Sequence, residues 1–312
     1  MNKTSFAIGC LVQWYECDII EEYLSTLSKA VKLYEGNVLV DINIAAGQDL
    51  EKAVSPEAYD KCLNSIRLIC NRHGFNVTTT LGITTISDYR REFNTRYCEL
   101  ADVLIWGESD MLVPSQIFSA LNILHSNVSS PKYLATFGIC KMWDNSWKML
   151  EHPKFTDKPF IENDYDNWWS VKYTMTAEEM EEINRGAQDL GVVRLPQHKF
   201  NGCGLVISSE VIKAGVNIPQ SVFFVHEDTA FMLMTQKVLG NIPQYIIKNI
   251  LVVHNRNHPK KRLYVKGERG GTMNQKRRSN DWYVKANKYS EENCYNLFNP
   301  NYKAKTWKDV WK

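Results

Sequence analysis

From Phe6 to Trp106 the chain repeats one phrase: a short apolar run, then a longer stretch with apolar residues at helical spacing. FAIGCLVQWY (6–15) is too short for a typical helix and almost wholly apolar, so it predicts a buried strand. Residues 19–34 predict a helix, which Gly36-Asn37 stops. VLVDINI (38–44) predicts a second strand, with Asp41 at the end of its apolar core. A helix over 57–73, a β-rich stretch NVTTTLGI, a helix over 87–100 and a strand DVLIW (102–106) follow. Parallel strands need a crossover of a dozen or more residues, usually a helix, so strict alternation predicts an α/β domain with a mostly parallel, Rossmann-like sheet.

After residue 112 the phrase loosens. A helix over 113–126 and a strand over 133–140 precede an irregular stretch, 141–175, that holds Trp143, Trp147, Trp168 and Trp169. Thr176 and Glu179 form a capping box that opens the helix AEEMEEINRGAQDL. A strand and short helix in GCGLVISSEVIKAG, a helix over 228–239 and a strand over 245–253 complete the pattern. The expected organisation is one half over 1–112, a second half of the same domain over 113–258, and a basic segment over 259–312.

That last segment stands out by charge. Eleven Lys or Arg and two acids, Glu268 and Asp281, lie between Asn255 and Lys288, a net +9 in a chain whose whole balance is +2. Such asymmetry marks either a polyanion-facing surface or a solvated tail. None of the eight cysteines forms a C-x-x-C pair, and several sit inside apolar runs, which predicts unbridged thiols in a reducing cytoplasm. No apolar run reaches the roughly 20 residues that span a bilayer, and the opening MNKTSFAIGC lacks the features of a signal peptide.

Carboxylates mark the chemistry. In VFFVHEDTAFM (222–232), Glu227 and Asp228 stand between apolar segments. Buried carboxylates need a cation, a metal or a proton as partner; the alternative is an Asp-Thr helix cap at the end of a strand. Strand 102–106 runs into WGESDMLVP, which places Glu108 and Asp110 at a strand's carboxyl end, where open α/β sheets bind ligands. Two carboxylates so spaced can share a hard divalent cation. His254 closes a later apolar strand in LVVHNRN.

The order of these pieces resembles the nucleotide-sugar-dependent glycosyltransferases of the GT-A fold, particularly the family 2-like group. IGCLVQWYECDIIEEYLSTL resembles that family's opening strand and helix, with Glu16 kept, Val12 in place of the usual proline and Tyr15 in place of asparagine. VLVDIN resembles the second strand, whose terminal acid reads the uracil ring; Asp41 takes that role, with Asn43 as second choice. YRREFNTRYCELADVLIWGESD resembles the Arg-Asn helix and D-x-D turn, with Asn94 fourteen residues before Glu108 and Arg90 or Arg91 on the donor phosphates. Here the D-x-D is Glu108-Ser109-Asp110, a glutamate replacing the first aspartate. His254 resembles the metal-binding histidine of many such enzymes.

The resemblance implies a UDP-sugar donor bound through Gln13, Tyr15, Glu16, Asp41, Arg91, Asn94, Arg256 and Lys261. It implies Mn2+ or Mg2+ held by Glu108, Asp110 and His254, Asp228 as the base that deprotonates an acceptor hydroxyl with Glu227 beside it, and inversion at the anomeric carbon. The four tryptophans are either an acceptor wall or a second-lobe core. Tyr264, Trp282, Tyr283 and Tyr289, interleaved with the basic run 255–288, suit a nucleic-acid acceptor, such as hydroxymethylated bases in viral DNA. Glycan or protein acceptors are the other readings. From different classes, a nucleotidyltransferase predicts a glycine-rich loop that VQWYECD lacks, and a non-catalytic nucleotide-sugar-binding protein predicts loss of acids that are present.

Overall fold

A computed structural model describes residues 3–46, 56–81, 84–138, 175–186, 190–195, 200–255 and 281–312. Its first half is the expected parallel sheet. Strands β1 (Phe6–Gln13), β2 (Val38–Ala46), β3 (Val77–Leu81) and β4 (Val103–Trp106) lie in the order β3-β2-β1-β4, all parallel. Helices α1 (Ile20–Leu33), α2 (Pro56–Arg72) and α3 (Ile86–Tyr97) make the crossovers. β1 is buried along its length except at Gln13, as a strand covered on both faces must be. With β2 on one side and β4 on the other, β1 sits where the winding of the sheet reverses. A crevice opens there beyond the carboxyl ends of β1 and β4.

Gly9 matters to this packing. It pairs with Asp41 and with Trp106, and a Cβ there would lie 2.5 Å from the Phe93 ring and 2.8 Å from the Tyr89 hydroxyl. Its bare backbone lets α3 lie close on the sheet, which places α3 side chains at the crevice. β2 runs on to Ala46, so Asp41 lies within the strand and not at its end.

The second half comprises β5 (Met111–Leu112), α4 (Ile117–Asn127), β6 (Leu134–Gly138), α5 (Ala177–Arg185), β7 (Val192–Leu195), β8 (Val206–Ser208) and α6 (Ser209–Lys213). α7 (Glu227–Leu239), β9 (Gln244–Leu251), β10 (Val253–His254), α8 (Asp281–Tyr295) and α9 (Trp307–Val310) follow. The sheet continues β8-β6-β9-β7, with β8 antiparallel to both β4 and β6, β9 parallel to β6, and β7 antiparallel to β9. The capping box of Thr176 and Glu179 is present at α5. A separate antiparallel ribbon pairs β5 with β10, setting His254 opposite Met111.

One large core joins the halves, with Trp106 of β4 against Phe231 of α7 at 5.2 Å between ring centroids. The apolar run before Glu227 is a loop and not a strand. Its Phe223 and Phe224 pack with Ala286, Val310, Trp282, Tyr283 and Trp307 in a cluster of their own. Ser290 of α8 accepts from the backbone N of Phe224 and Val225 and donates to Val225 O. Residues 281–312, placed by sequence in a segment apart, therefore pack against the loop that leads into Glu227-Asp228. The aromatics Trp282, Tyr283 and Tyr289, expected to stack on bases, are partly buried in or against this cluster. Tyr264 and the four tryptophans of 143–169 lie outside the described residues, as does the basic run from 256 to 280. No helix among the described residues is long and apolar enough to cross a membrane.

Candidate active site

At the carboxyl ends of β1 and β4 lies a cavity of about 680 Å³. Beyond β4 the chain turns through Gly107 into Glu108-Ser109-Asp110, and Asp110 O accepts from Asn255 N at 2.7 Å. That bond and the β5–β10 ribbon bring His254 onto the acidic turn. His254 Nε2 lies 3.1 Å from Glu108 Oε2 and 3.4 Å from Asp110 Oδ1. Burial disfavours the charged imidazole, yet Asp110 and Glu108 lift its pKa to about 10. Burial alone would raise Glu108, but His254 and Arg90 hold it down at about 2. Glu108 and His254 thus favour each other's charged form.

The other cation is Arg90, which sequence pattern left undecided against Arg91. Arg90 is 2% exposed, stacks over Trp106 at 4.7 Å, and donates to Glu108 Oε1 at 2.9 Å, Glu227 Oε1 at 2.5 Å and Gly202 O at 3.3 Å. A Cβ on Gly202 would lie 2.1 Å from the Arg90 guanidinium, so only glycine leaves it room. Burial pushes Glu227 up to about 7 against the pull of Arg90, and the Asp228 charge adds to the rise. Glu227 is thus a buried carboxyl pinned to Arg90.

Asp228 is the partly exposed partner of the pair. It lines the cavity in the first turn of α7, where the helix dipole favours a carboxylate. Its Oδ1 accepts from Thr229 N at 2.6 Å. Before it, His226 caps the helix at φ 67°, ψ 23°, the left-handed region that a residue other than glycine occupies at a cost of about 1–3 kcal/mol. Its ring lies 4.0 Å from Glu291 and 6.3 Å, between centroids, from Tyr295. Asn287, Glu291 and Tyr295 bring α8 into the cavity wall.

Of the residues expected to bind donor, Gln13 and Glu16 line the cavity. They are tied together in the turn after β1, where Glu16 Oε2 accepts from Gln13 N at 2.9 Å. Four others do not line it. Tyr15 is buried against Trp14. Asp41 accepts from the Tyr89 and Tyr97 hydroxyls at 2.8 and 3.0 Å, fastening α3 to β2. Arg91 faces away, donating to the carbonyls of Ile218, Pro219 and Val222. Asn94 is fully buried between Trp106 Nε1 and Asn217 Oδ1. Asn43, the second choice for the base, donates to Thr78 and Thr80 on the neighbouring strand. Arg256 and Lys261 lie outside the described residues.

Sequence pattern missed the loop Asn201-Gly202-Cys203-Gly204 and the three α8 residues. Two glycines flanking a cysteine just before an apolar strand were the available signal for the loop. Nothing local marked Asn287, Glu291 or Tyr295.

No protein-family model matches the chain, and no match is found among curated proteins. Solved structures align with it loosely. Residues 1–349 of S. aureus TarS align over 95% of this chain and 72% of that one, at 10% identity and a TM-score of 0.46. Glucosyl-3-phosphoglycerate synthase from Mycobacterium tuberculosis, in complex with Mn2+, UDP-glucose and phosphoglyceric acid, aligns over 86% and 77%, at 11% identity and 0.45. GalNAc-T7 with UDP, GalNAc and Mn2+ aligns over 81% of this chain but 44% of its own, at 12% and 0.47.

Proposed function

We propose that the chain is a cation-dependent glycosyltransferase that moves a sugar from a UDP-sugar to an acceptor hydroxyl. The observation that carries this reading is the convergence, in one cavity, of a set of side chains suited to a cation and a separate, partly exposed carboxylate, Asp228. Glu108, Asp110 and His254 suit a divalent ion: two hard oxygen donors 3.1 and 3.4 Å from an imidazole nitrogen. A divalent ion held there would neutralise the diphosphate of a departing nucleotide.

The chain's own residues do the rest. Gln13 and Glu16 bound the side of the cavity next to β1. Asn201, whose buried Nδ2 has no hydrogen-bond partner among the described residues, lines the same cavity and is a donor for a ligand oxygen. Asp228 takes the proton of the acceptor hydroxyl as its oxygen attacks the anomeric carbon, with inversion. Glu227, held by Arg90, fixes the first turn of α7 and so aims Asp228. Arg256 and Lys261 would add donor contacts. Nucleoside diphosphate release from a panel of UDP-sugars, with and without Mn2+, tests the reading. Release that Mn2+ does not alter, or none from any donor, overturns it.

Within this reading, the net +9 of residues 255–288 favours a nucleic-acid acceptor. Transfer to duplexes with and without 5-hydroxymethylcytosine, across a salt series, decides it. Transfer to a simple sugar acceptor with no duplex affinity at low salt would move the acceptor to glycans or proteins.

A further inference from the structure

The cavity wall holds a donor that the proposed reaction leaves unused. Cys203 is 1% exposed, and its Sγ, a Glu108 carboxylate oxygen and a His254 ring nitrogen all lie within 4.8 Å of one another. Its loop is built to hold it there. Asn201 Oδ1 accepts from Cys203 N at 3.0 Å. Gly204, at φ 69°, donates its N to Trp106 O at 2.9 Å, and Trp106 N returns a bond to Leu205 O at 3.0 Å. These bonds fix the loop to the last residue of β4, two positions before Glu108.

Hard oxygen donors alone would favour Mg2+ or Mn2+, whereas a thiolate favours softer ions. Carboxylate, imidazole and thiolate together make the mixed set that Zn2+ accepts, with Zn–S near 2.3 Å and Zn–N near 2.0–2.1 Å. We propose that Cys203 is a thiolate ligand of the cation held by Glu108, Asp110 and His254, and that it shifts the preference of this centre toward Zn2+ and Co2+. This rests on the cation-site reading above. On binding, the thiol proton leaves to solvent and a sulfur lone pair enters the ion's coordination sphere, with no change of oxidation state. An ion at bonding distance would draw the Glu108, Cys203 and His254 donors inward.

Full-length protein titrated with Co2+ tests this by absorption, calorimetry and X-ray absorption. The wild type should show a near-ultraviolet sulfur-to-cobalt charge-transfer band and a sulfur scatterer at about 2.3 Å in its Zn2+ form. Cys203→Ser should lose the band and bind Zn2+ at least about 10-fold more weakly, with Mg2+ affinity far less changed. Cys294→Ser should keep the band. A band that persists in Cys203→Ser, or a wild-type zinc shell of nitrogen and oxygen only, overturns the thiolate ligand and leaves the cation site standing. Co2+ binding that His254→Ala does not weaken overturns the cation site itself. The scattering measurement needs no variant to fold.

Discussion

The parallel half and the mixed half divide the labour unevenly. Between β1 and β4 several polar side chains that pattern offered to a ligand are spent on packing: Asp41 on two tyrosines, Asn94 on Trp106 and Asn217. The parallel half contributes to the cavity chiefly where its strands stop, through Gln13, Glu16, Glu108 and Asp110. Loops and element ends of the mixed half supply Cys203, His226, Asp228 and His254, from three separate segments. A rigid frame carries chemistry on its edges. Arg90 and Arg91 repeat the division at the smallest scale. Successive helical residues point about 100° apart, so one reaches into the cavity and the other ties down residues 218–222.

The largest effect should come from the edge. Asp228→Asn keeps the shape but removes the proposed proton acceptor, and turnover should fall by about 10²–10⁴ with UDP affinity unchanged. Near-normal turnover would assign the base elsewhere. Next in size is Arg90→Leu, which leaves Glu227 buried without its cation. Denaturant unfolding should show a loss of about 3–5 kcal/mol. Adding Glu227→Leu should recover much of it, and a simple sum of the two single losses would refute the pairing.

The acidic turn gives a pH dependence. His254 is protonated in the metal-free chain up to about 10, and a metal ligand must be neutral, so each ion bound displaces a proton. Apparent cation affinity should therefore rise with pH, by up to about tenfold per unit; calorimetry at pH 6 and 8 in buffers of different ionisation enthalpy would expose a flat profile. Stability of the metal-free chain follows the same groups. The raised His254 pKa stabilises fully below its ordinary 6.5 and is lost as pH climbs through about 10. The lowered Glu108 pKa stabilises above its ordinary 4.5 and is lost as pH falls through about 2.

The smallest effect sharpens the contrast from the frame side. Asp41→Ala removes the acceptor of two tyrosine hydroxyls and should cost about 1–3 kcal/mol of stability. UDP affinity should not move, since Asp41 does not line the cavity. Weaker UDP binding would return Asp41 to the donor site.

Regular structure was legible because burial imposes a period. The strands of the parallel half and the helices between them stand close to where alternation predicted, and Thr176 with Glu179 caps its helix as the spacing required. Glu108, Asp110, Glu227, Asp228 and His254 were legible as acids and an imidazole at the ends of apolar runs, where charge is costly without a partner. Their mutual distances were not, since a one-dimensional pattern does not state which ends meet. Asp41 misled for the same reason. An acid inside a strand and one at its tip read alike until Tyr89 and Tyr97 are seen to cover it. Cys203 and the α8 residues carry no periodic signal, and the fold alone recruits them.

The cavity takes Gln13 from the first strand and Tyr295 from one of the last helices. Chains fold from the N-terminus as they are made, and contacts between distant segments form slowly. The four parallel strands are made first, β4 gains its antiparallel neighbour β8 only later, and the wall formed by α8 follows every other part of the cavity. The cavity is therefore complete only once α8 has been made, and a chain that stops short of α8 has the parallel frame without the full wall. Ribosome-bound chains of increasing length should gain donor hydrolysis or transfer only once Tyr295 has emerged.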